Sequence, residues 1–143
     1  WWPSRAALFV EVYGTLVPPE KLRGLPSGDP AADVEVILGR LFRLYASTPA
    51  GRILAGLIAA AVGDEDTAAQ IRAGLMLGRR DVLAVPLAEA VERGELPDGF
   101  DIDGAIETIV ALIWQRLLVA PDTLDGSFAR NVARRAVAVG RLA

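Results

Sequence analysis

The chain has 143 residues, enough for one domain with its own hydrophobic core, with a formal net charge of −3 and a pI near 5.0. It contains no cysteine and no histidine, which excludes disulfides, thiolate nucleophiles, the usual zinc sites and histidine acid–base catalysis. An acidic chain has the wrong sign for neutralising phosphates, so we do not expect it to bind DNA by itself.

Hydrophobic residues make up 52% of the chain, a surplus that needs an explanation. The longest apolar run, from Ile53 to Val62, is much shorter than the about 18 residues that a membrane-spanning helix requires. No secretory signal pattern is visible either. We therefore predict a cytoplasmic protein without a membrane span, which buries its surplus against a partner or around an apolar pocket.

The spacing of apolar residues is helical nearly everywhere and shows no sustained period of two, which predicts an all-α fold. The first helix is predicted from Ser4 to Val17, and an exposed loop follows it. A second helix runs from Pro30 to about Ser47. The third begins at Thr48-Pro49 and ends at Val62, before Gly63. Because the third helix is apolar most of the way round, we expect it at the centre of the core.

The middle of the chain is predicted to be helical with interruptions. The acidic residues 64–66 open a fourth helix, where carboxylates favour the positive end of the helix dipole; a catalytic carboxylate cluster is the alternative interpretation. From Thr67 to Arg93 the pattern fits one long helix or two consecutive ones. We expect a kink before Pro86, and we expect Gly94 to end the segment.

The last two helices carry the features that indicate self-association. One runs from Asp101 or Asp103 to Leu118 and is too apolar for a helix with one face in water. The other, from about Leu124 to Leu142, carries a strip of small residues that lets a second helix approach closely. We predict a homodimer whose interface comprises Ile106, Ile109, Val110, Ile113, Leu117, Phe128, Ala129, Val132, Ala133, Ala136, Val137 and Gly140. Glu107 is a candidate partner for Arg134 or Arg135 across that dimer.

Three short stretches resemble the TetR (tetracycline-repressor) family of transcriptional regulators. Residues 2–8, Trp-Pro-Ser-Arg-Ala-Ala-Leu, resemble the junction between the recognition helix and the connecting helix. Residues 88–96, which end in Glu-Arg-Gly-Glu-Leu before acidic residues 101 and 103, are similar to a helix end of the family. Residues 114–118, Trp-Gln-Arg-Leu-Leu, resemble the end of the helix before the last one.

The resemblance implies an architecture and a role for each segment of the chain. The whole chain, 1–143, corresponds to an effector-binding and dimerisation domain, with 1–3 as the remnant of the recognition helix and the helix-turn-helix domain outside the chain. Residues 101–142 would pair with their copies as a four-helix bundle, and residues 32–93 would enclose the effector pocket. Residues 4–17 would couple that pocket to the DNA-binding domain. Isologous pairing is also the commonest way to cover an apolar helical face.

A pocket inside a helical domain is lined mainly by apolar side chains with a few polar groups. Our candidates for ligand binding are Phe9, Tyr13, Leu41, Tyr45, Leu54, Leu57, Ile58, Met76, Leu83, Leu87, Trp114 and Gln115. Plain core packing is the alternative for each of them. We expect no metal and no cofactor, and the absence of histidine argues against the metal-chelate effector of tetracycline-responsive members.

The function implied is a ligand-responsive transcriptional regulator, which we expect to be a repressor. Its partners would be a second copy of the chain, a small and mostly apolar effector, and operator DNA reached through the missing domain. Arg5 would contact a DNA phosphate in the intact protein or stay solvated. The alternative function is a constitutive helical interaction module without a pocket. No catalytic constellation is present in the sequence, so we do not expect an enzyme.

Overall fold

The computed structural model describes residues 4–142 and contains only helices within that range. Its α-helices are α1 Arg5–Leu16, α2 Pro30–Ser47, α3 Ala50–Ala61, α4 Glu65–Ile71, α5 Asp81–Glu92, α6 Ile102–Val119 and α7 Gly126–Arg141. A π-helical segment, Arg72–Leu77, joins α4 to α5. The predicted all-α fold is confirmed. None of the helices formed by residues 4–142 is both long enough and apolar enough to cross a membrane.

The predicted helix starts agree with the caps in the structure. Ser4, Asp29, Asp64, Asp101 and Asp125 each accept a hydrogen bond from a backbone N–H in the first turn of the helix that follows. These N–H groups have no partner inside their own helix, so an oxygen-bearing cap stabilises the helix start. The acidic residues at the start of α4 are therefore part of ordinary capping. Residues 1–3, which we assigned to the end of a recognition helix, lie outside the described residues.

The interruption in the middle of the chain is not where we predicted it. Helix α5 continues through Pro86, while the break lies earlier, between the π-helical segment and Asp81. Gly78, the weakest helix former of that stretch, caps the π-helical segment, whereas Pro86 removes only one hydrogen bond from α5. The end of α5 is as predicted, because Gly94 adopts the left-handed φ of +77° that a helix C-terminus favours.

The core is built by α7, which packs along both α2 and α6. Phe42 of α2 and Phe128 of α7 stack with ring centroids 6.0 Å apart, and Leu38 and Ile109 are almost completely buried beside them. Helix α3 does not hold the central place that we predicted. It buries Ala50, Gly51, Leu54 and Leu57 and leaves residues such as Arg52 and Ala59 exposed, so it covers the core from one side only.

The strip of small residues on α7 faces the interior of the subunit, which corrects our prediction of the dimer interface. Phe128, Ala129, Val132, Ala133, Ala136, Val137 and Gly140 are buried against other helices of the same chain, and so are Ile109, Ile113 and Leu117 of α6. Ile106 and Val110 are partly buried. The small side chains let α7 approach α2 and α6 closely. In the sequence, the same pattern would fit close contact with a helix of a second subunit equally well.

Gly140 shows how tight this packing is, and it generates a stability prediction. A Cβ atom at Gly140 would overlap the ring of Phe100, which is buried and cannot move aside. We expect Gly140→Ala to lower the free energy of unfolding by about 1–3 kcal/mol, the usual cost of overpacking a core.

Gly126→Ala is the matched control, because a Cβ atom there meets nothing within 4 Å and the residue opens the same helix. Chemical denaturation of both variants measures the difference. Equal stability of Gly140→Ala and the parent chain would contradict the close packing of α7.

Candidate functional site

An apolar cavity of about 450 Å³ lies between the core helices and the elements that wrap around them. It is bounded by α1, α2, α3, the π-helical segment, the start of α5 and one side of α6. Its apolar lining comprises Leu22, Ile37, Leu38, Leu41, Leu54, Leu75, Met76, Leu77, Val82, Leu83, Ile106, Ile109, Val110, Ala111, Ile113 and Trp114. The volume falls within the range of small-molecule sites.

Two tyrosines and an arginine form a polar cluster in the wall of this cavity. The hydroxyls of Tyr13 on α1 and Tyr45 on α2 are hydrogen-bonded at 2.5 Å, although 32 residues separate them. The guanidinium carbon of Arg79 lies 5.3 Å from the centroid of the Tyr13 ring, and an Nη atom of Arg79 donates a hydrogen bond to the carbonyl of Val17. The cluster therefore links α1, α2 and the turn before α5 through side-chain contacts.

A second set of charged residues lies on the exposed side of the cavity. Arg80 forms an ion pair with Asp103, whose side chain is 81% exposed, and Glu107 on the next turn of α6 is also exposed. Exposed ion pairs contribute little to stability because water screens them. These residues form the charged rim of the cavity, whereas Tyr13 is buried and Tyr45 and Arg79 are half-buried in its wall.

Seven of the residues predicted to bind a ligand line this cavity: Tyr13, Leu41, Tyr45, Leu54, Met76, Leu83 and Trp114. Phe9 and Leu57 line a different cavity. Leu87 is a core residue with 1% exposure, Ile58 packs against the edge of the core, and Gln115 is exposed on α6. These three residues do not line either cavity, and for all twelve a role in ligand binding stays a prediction.

The sequence reasoning missed the charged members of the cavity, Arg79, Arg80, Asp103 and Glu107. Arg79 and Arg80 directly follow Gly78, and this pattern could have indicated a helix break with a charged side chain facing the cavity. A break in a helix turns neighbouring side chains in different directions, so one of the pair was free to face inward. We had predicted one long helix or two consecutive ones with a kink before Pro86, and so did not place the break between Gly78 and Asp81.

The second cavity, of about 680 Å³, lies between the first half of α1 and helices α3 and α4. Phe9, with 38% of its surface exposed, and the exposed Arg5 contribute to its wall, together with Arg52 and Asp64. Its lining is more polar than that of the first cavity and includes groups of both charges. Helix α1 thus contributes Tyr13 to one cavity and Arg5 to the other.

Burial is the main influence on the ionisation of the two tyrosines. Desolvation raises the pKa of Tyr13 above its ordinary value of 10.0, and the hydrogen bond from Tyr45 and the charge of Arg79 oppose that rise. The pKa of Tyr45 is raised well above 10.0 by desolvation and, secondarily, by the nearby Tyr13. Both hydroxyls therefore keep their protons at neutral pH.

These tyrosines give a direct spectroscopic prediction, because the chain has only 2 tyrosines. A raised folded-state pKa means that the unfolded chain loses protons first as the pH rises. Stability is therefore complete below about pH 10 and falls above it. We expect little tyrosinate absorbance from the folded chain at pH 10.0, the ordinary pKa of a tyrosine.

The same titration in denaturant is the control, and half of the tyrosine should be ionised there near pH 10. Tyr13→Phe and Tyr45→Phe, measured separately, assign the signal to each residue. Half-ionisation of both tyrosines near pH 10 while the chain remains folded would contradict the buried pair.

Comparisons with known proteins agree with this architecture. A family model described as "Tetracyclin repressor-like, C-terminal domain" matches residues 26–137. The chain is 26% identical over 138 residues to the uncharacterized HTH-type transcriptional regulator YdeS of Bacillus subtilis strain 168, and the match covers 95% of this chain and 68% of the relative.

The crystal structure of the TetR family transcription regulator SCO0332 has the same fold, with a TM-score of 0.83 at 30% sequence identity. That similarity covers 96% of this chain and 75% of the other. Both relatives are named as transcription regulators, which agrees with the expectation that the chain is not an enzyme. The chain therefore belongs to the TetR family of transcriptional regulators and has the fold of its C-terminal domain.

Proposed function

We propose that this chain is the effector-binding and dimerisation domain of a ligand-responsive transcriptional repressor in the cytoplasm. The observation that carries the proposal is the 450 Å³ apolar cavity with Tyr13 of α1 in its wall. A constitutive interaction module has no need of such a cavity, since close packing of its core would be more stable. Operator DNA would be bound through a helix-turn-helix domain that is not part of this sequence.

Helix α1 is the element through which an effector would act. It contacts α3, α4 and the π-helical segment, where Gly74 lies directly against Val10. At its other end, the Val17 carbonyl accepts the hydrogen bond from Arg79. An effector that binds one arrangement of α1 and the π-helical segment better than another would shift the population between them. Arg5 is exposed at the opposite end of α1, so a movement of α1 would change the position of Arg5 relative to a DNA phosphate.

We also propose a homodimer, formed by the outer faces of α6 and α7 in place of the buried residues that the sequence suggested. The outer face of α6 exposes Glu107, Ala111, Gln115 and Leu118, and that of α7 exposes Asn131, Arg134, Arg135 and Ala138. Glu107 on α6 and the arginines on α7 would favour contacts between α6 of one subunit and α7 of its partner. Leu118, 47% exposed, supplies an apolar contact.

The cavity is tested by filling it. Leu41→Trp places a larger side chain in the cavity wall, and the neutral apolar dye N-phenyl-1-naphthylamine reports occupancy by fluorescence. We expect the parent chain to bind the dye and the variant to bind it at least about tenfold more weakly, since overpacking excludes it.

Val36→Trp is the matched control, because Val36 lies on the same helix and is 44% exposed outside the cavity. Circular dichroism confirms that both variants remain helical. Equal dye binding by the parent chain and Leu41→Trp, or none by the parent, would favour the interaction module over the sensor.

The dimer is tested at Leu118. We expect the chain to run in solution at twice its mass of 15.2 kDa, and Leu118→Glu to run as a monomer, because it places a charge in an apolar contact without touching the core. Light scattering coupled to gel filtration measures both masses.

Val62→Glu is the control, since Val62 is 85% exposed at the end of α3, away from α6 and α7. It should remain a dimer. A monomeric parent chain, or a Leu118→Glu variant that remains a dimer, would contradict this interface.

A further inference from the structure

The polar cluster of Tyr13, Tyr45 and Arg79 has more hydrogen-bond donors than acceptors. Two hydroxyls carry two protons, and the bond between Tyr13 and Tyr45 uses one of them as donor and one oxygen as acceptor. The second proton has no acceptor among the described residues. Arg79 adds a guanidinium with five N–H donors, of which the Val17 carbonyl takes one. The cluster therefore has spare donors, and a ligand that satisfies it must bring acceptors.

The two adjacent arginines at the cavity differ in their charged neighbours. Arg80 has a carboxylate, that of Asp103, within ion-pair distance. Arg79 has no such partner between residues 4 and 142; its neighbours are the Tyr13 ring and a backbone carbonyl. Because burial raises the pKa of both tyrosines, neither hydroxyl supplies the missing negative charge at neutral pH. A half-buried positive charge thus lines an apolar cavity and has no carboxylate partner between residues 4 and 142.

The acidic residues near the cavity have their own partners. Asp103 is paired with Arg80, and Glu107 lies at the rim, on the face of α6 that we propose for the dimer, where the arginines of α7 would balance its charge. A charge on the rim is screened, whereas a charge beside an apolar wall interacts more strongly. An anion at the tyrosines would therefore be attracted by Arg79 more than it is repelled by the rim.

We propose that the effector is an amphipathic carboxylic acid, whose carboxylate accepts hydrogen bonds from Arg79, Tyr13 and Tyr45 while its hydrocarbon part fills the apolar cavity. This inference rests on the proposed sensor function and adds the chemical class of the ligand. It assigns Arg79, which the sequence reasoning did not identify, as the residue that selects charge. The carboxylate would replace or modify contacts that Tyr13 and Val17 make with Arg79, which would couple binding to the position of α1.

The test compares acids with their uncharged amides of the same shape. Dodecanoate and dodecanamide, and 2-naphthoate and 2-naphthamide, compete with N-phenyl-1-naphthylamine for the 143-residue chain at pH 7, and dodecylamine is measured in the same way as a cationic comparison. We expect at least one acid to displace the dye about tenfold to a hundredfold better than its amide, the range for a hydrogen bond to a charged group. Arg79→Gln should abolish that preference while leaving the affinity of the amide nearly unchanged, and Arg79→Lys should retain part of it.

Arg72→Gln is the control, because it removes an arginine of the neighbouring segment that is exposed and already paired with Glu65. Tyr13→Phe and Tyr45→Phe should each reduce the preference for the acid without reducing dye binding. If Arg79→Gln does not fold, the ratio of acid to amide in the parent chain still decides the question.

The outcomes distinguish this inference from the function on which it rests. Dye binding with equal affinities for acid and amide overturns the carboxylate and leaves an apolar sensor. Tighter binding of dodecylamine than of dodecanoate overturns the inference, because the acidic residues of the rim would then select the charge of the ligand. A preference for acid that survives in Arg79→Gln overturns the assigned site. Absence of binding by the dye and by every acid contradicts both the inference and the proposed function.

Discussion

The close approach of α7 to α2 and α6 is the constraint on which the rest of the structure depends. Small residues on α7 and the stacked rings of Phe42 and Phe128 allow three long helices to share one densely packed core. The faces of α2 and α6 that α7 covers are then closely packed. The remaining elements must cover the other side of α2 and α6, and they do so with shorter helices and a π-helical segment. A cavity is left there because these elements cannot interdigitate as the long helices do.

The sequence predicted most helices well because its start signals are chemical and local. A capping aspartate or serine specifies a helix start whatever the rest of the chain does. The π-helical segment was missed because one extra residue per turn does not alter the apolar pattern of six residues.

Small residues on α7 indicated a close helix contact correctly, but the pattern does not say whether the other helix belongs to the same chain. An aliphatic residue is also equally suited to a core or a cavity wall, as Leu54 and Leu87 illustrate. Tyr13 and Tyr45 were easier to place, since a polar atom on an apolar face requires a partner.

The helix break after Gly78 gives two adjacent arginines different surroundings. In an uninterrupted helix, neighbouring side chains are only about 100° apart and both tend to face solvent on an apolar domain's surface. Here Arg80 reaches outward to Asp103 on α6, and Arg79 reaches the ring of Tyr13 and the end of α1. The irregular backbone thus places the charged side chain of Arg79 in the cavity wall, a position that an apolar residue would occupy in a regular amphipathic helix.

The position of Arg79 bears on how binding energy would become a change in α1. A ligand shifts a conformational equilibrium only by the difference between its affinities for the two states. An apolar body fitting an apolar wall gives a small difference, because dispersion contacts tolerate modest movements of the wall. A hydrogen bond between charged groups depends steeply on distance and angle, so it distinguishes arrangements of α1 that differ by about an ångström. In this domain the polar groups of the cavity lie on α1, on α2 and at the helix break, so any ligand that engages all three senses how α1 is placed relative to the rigid core.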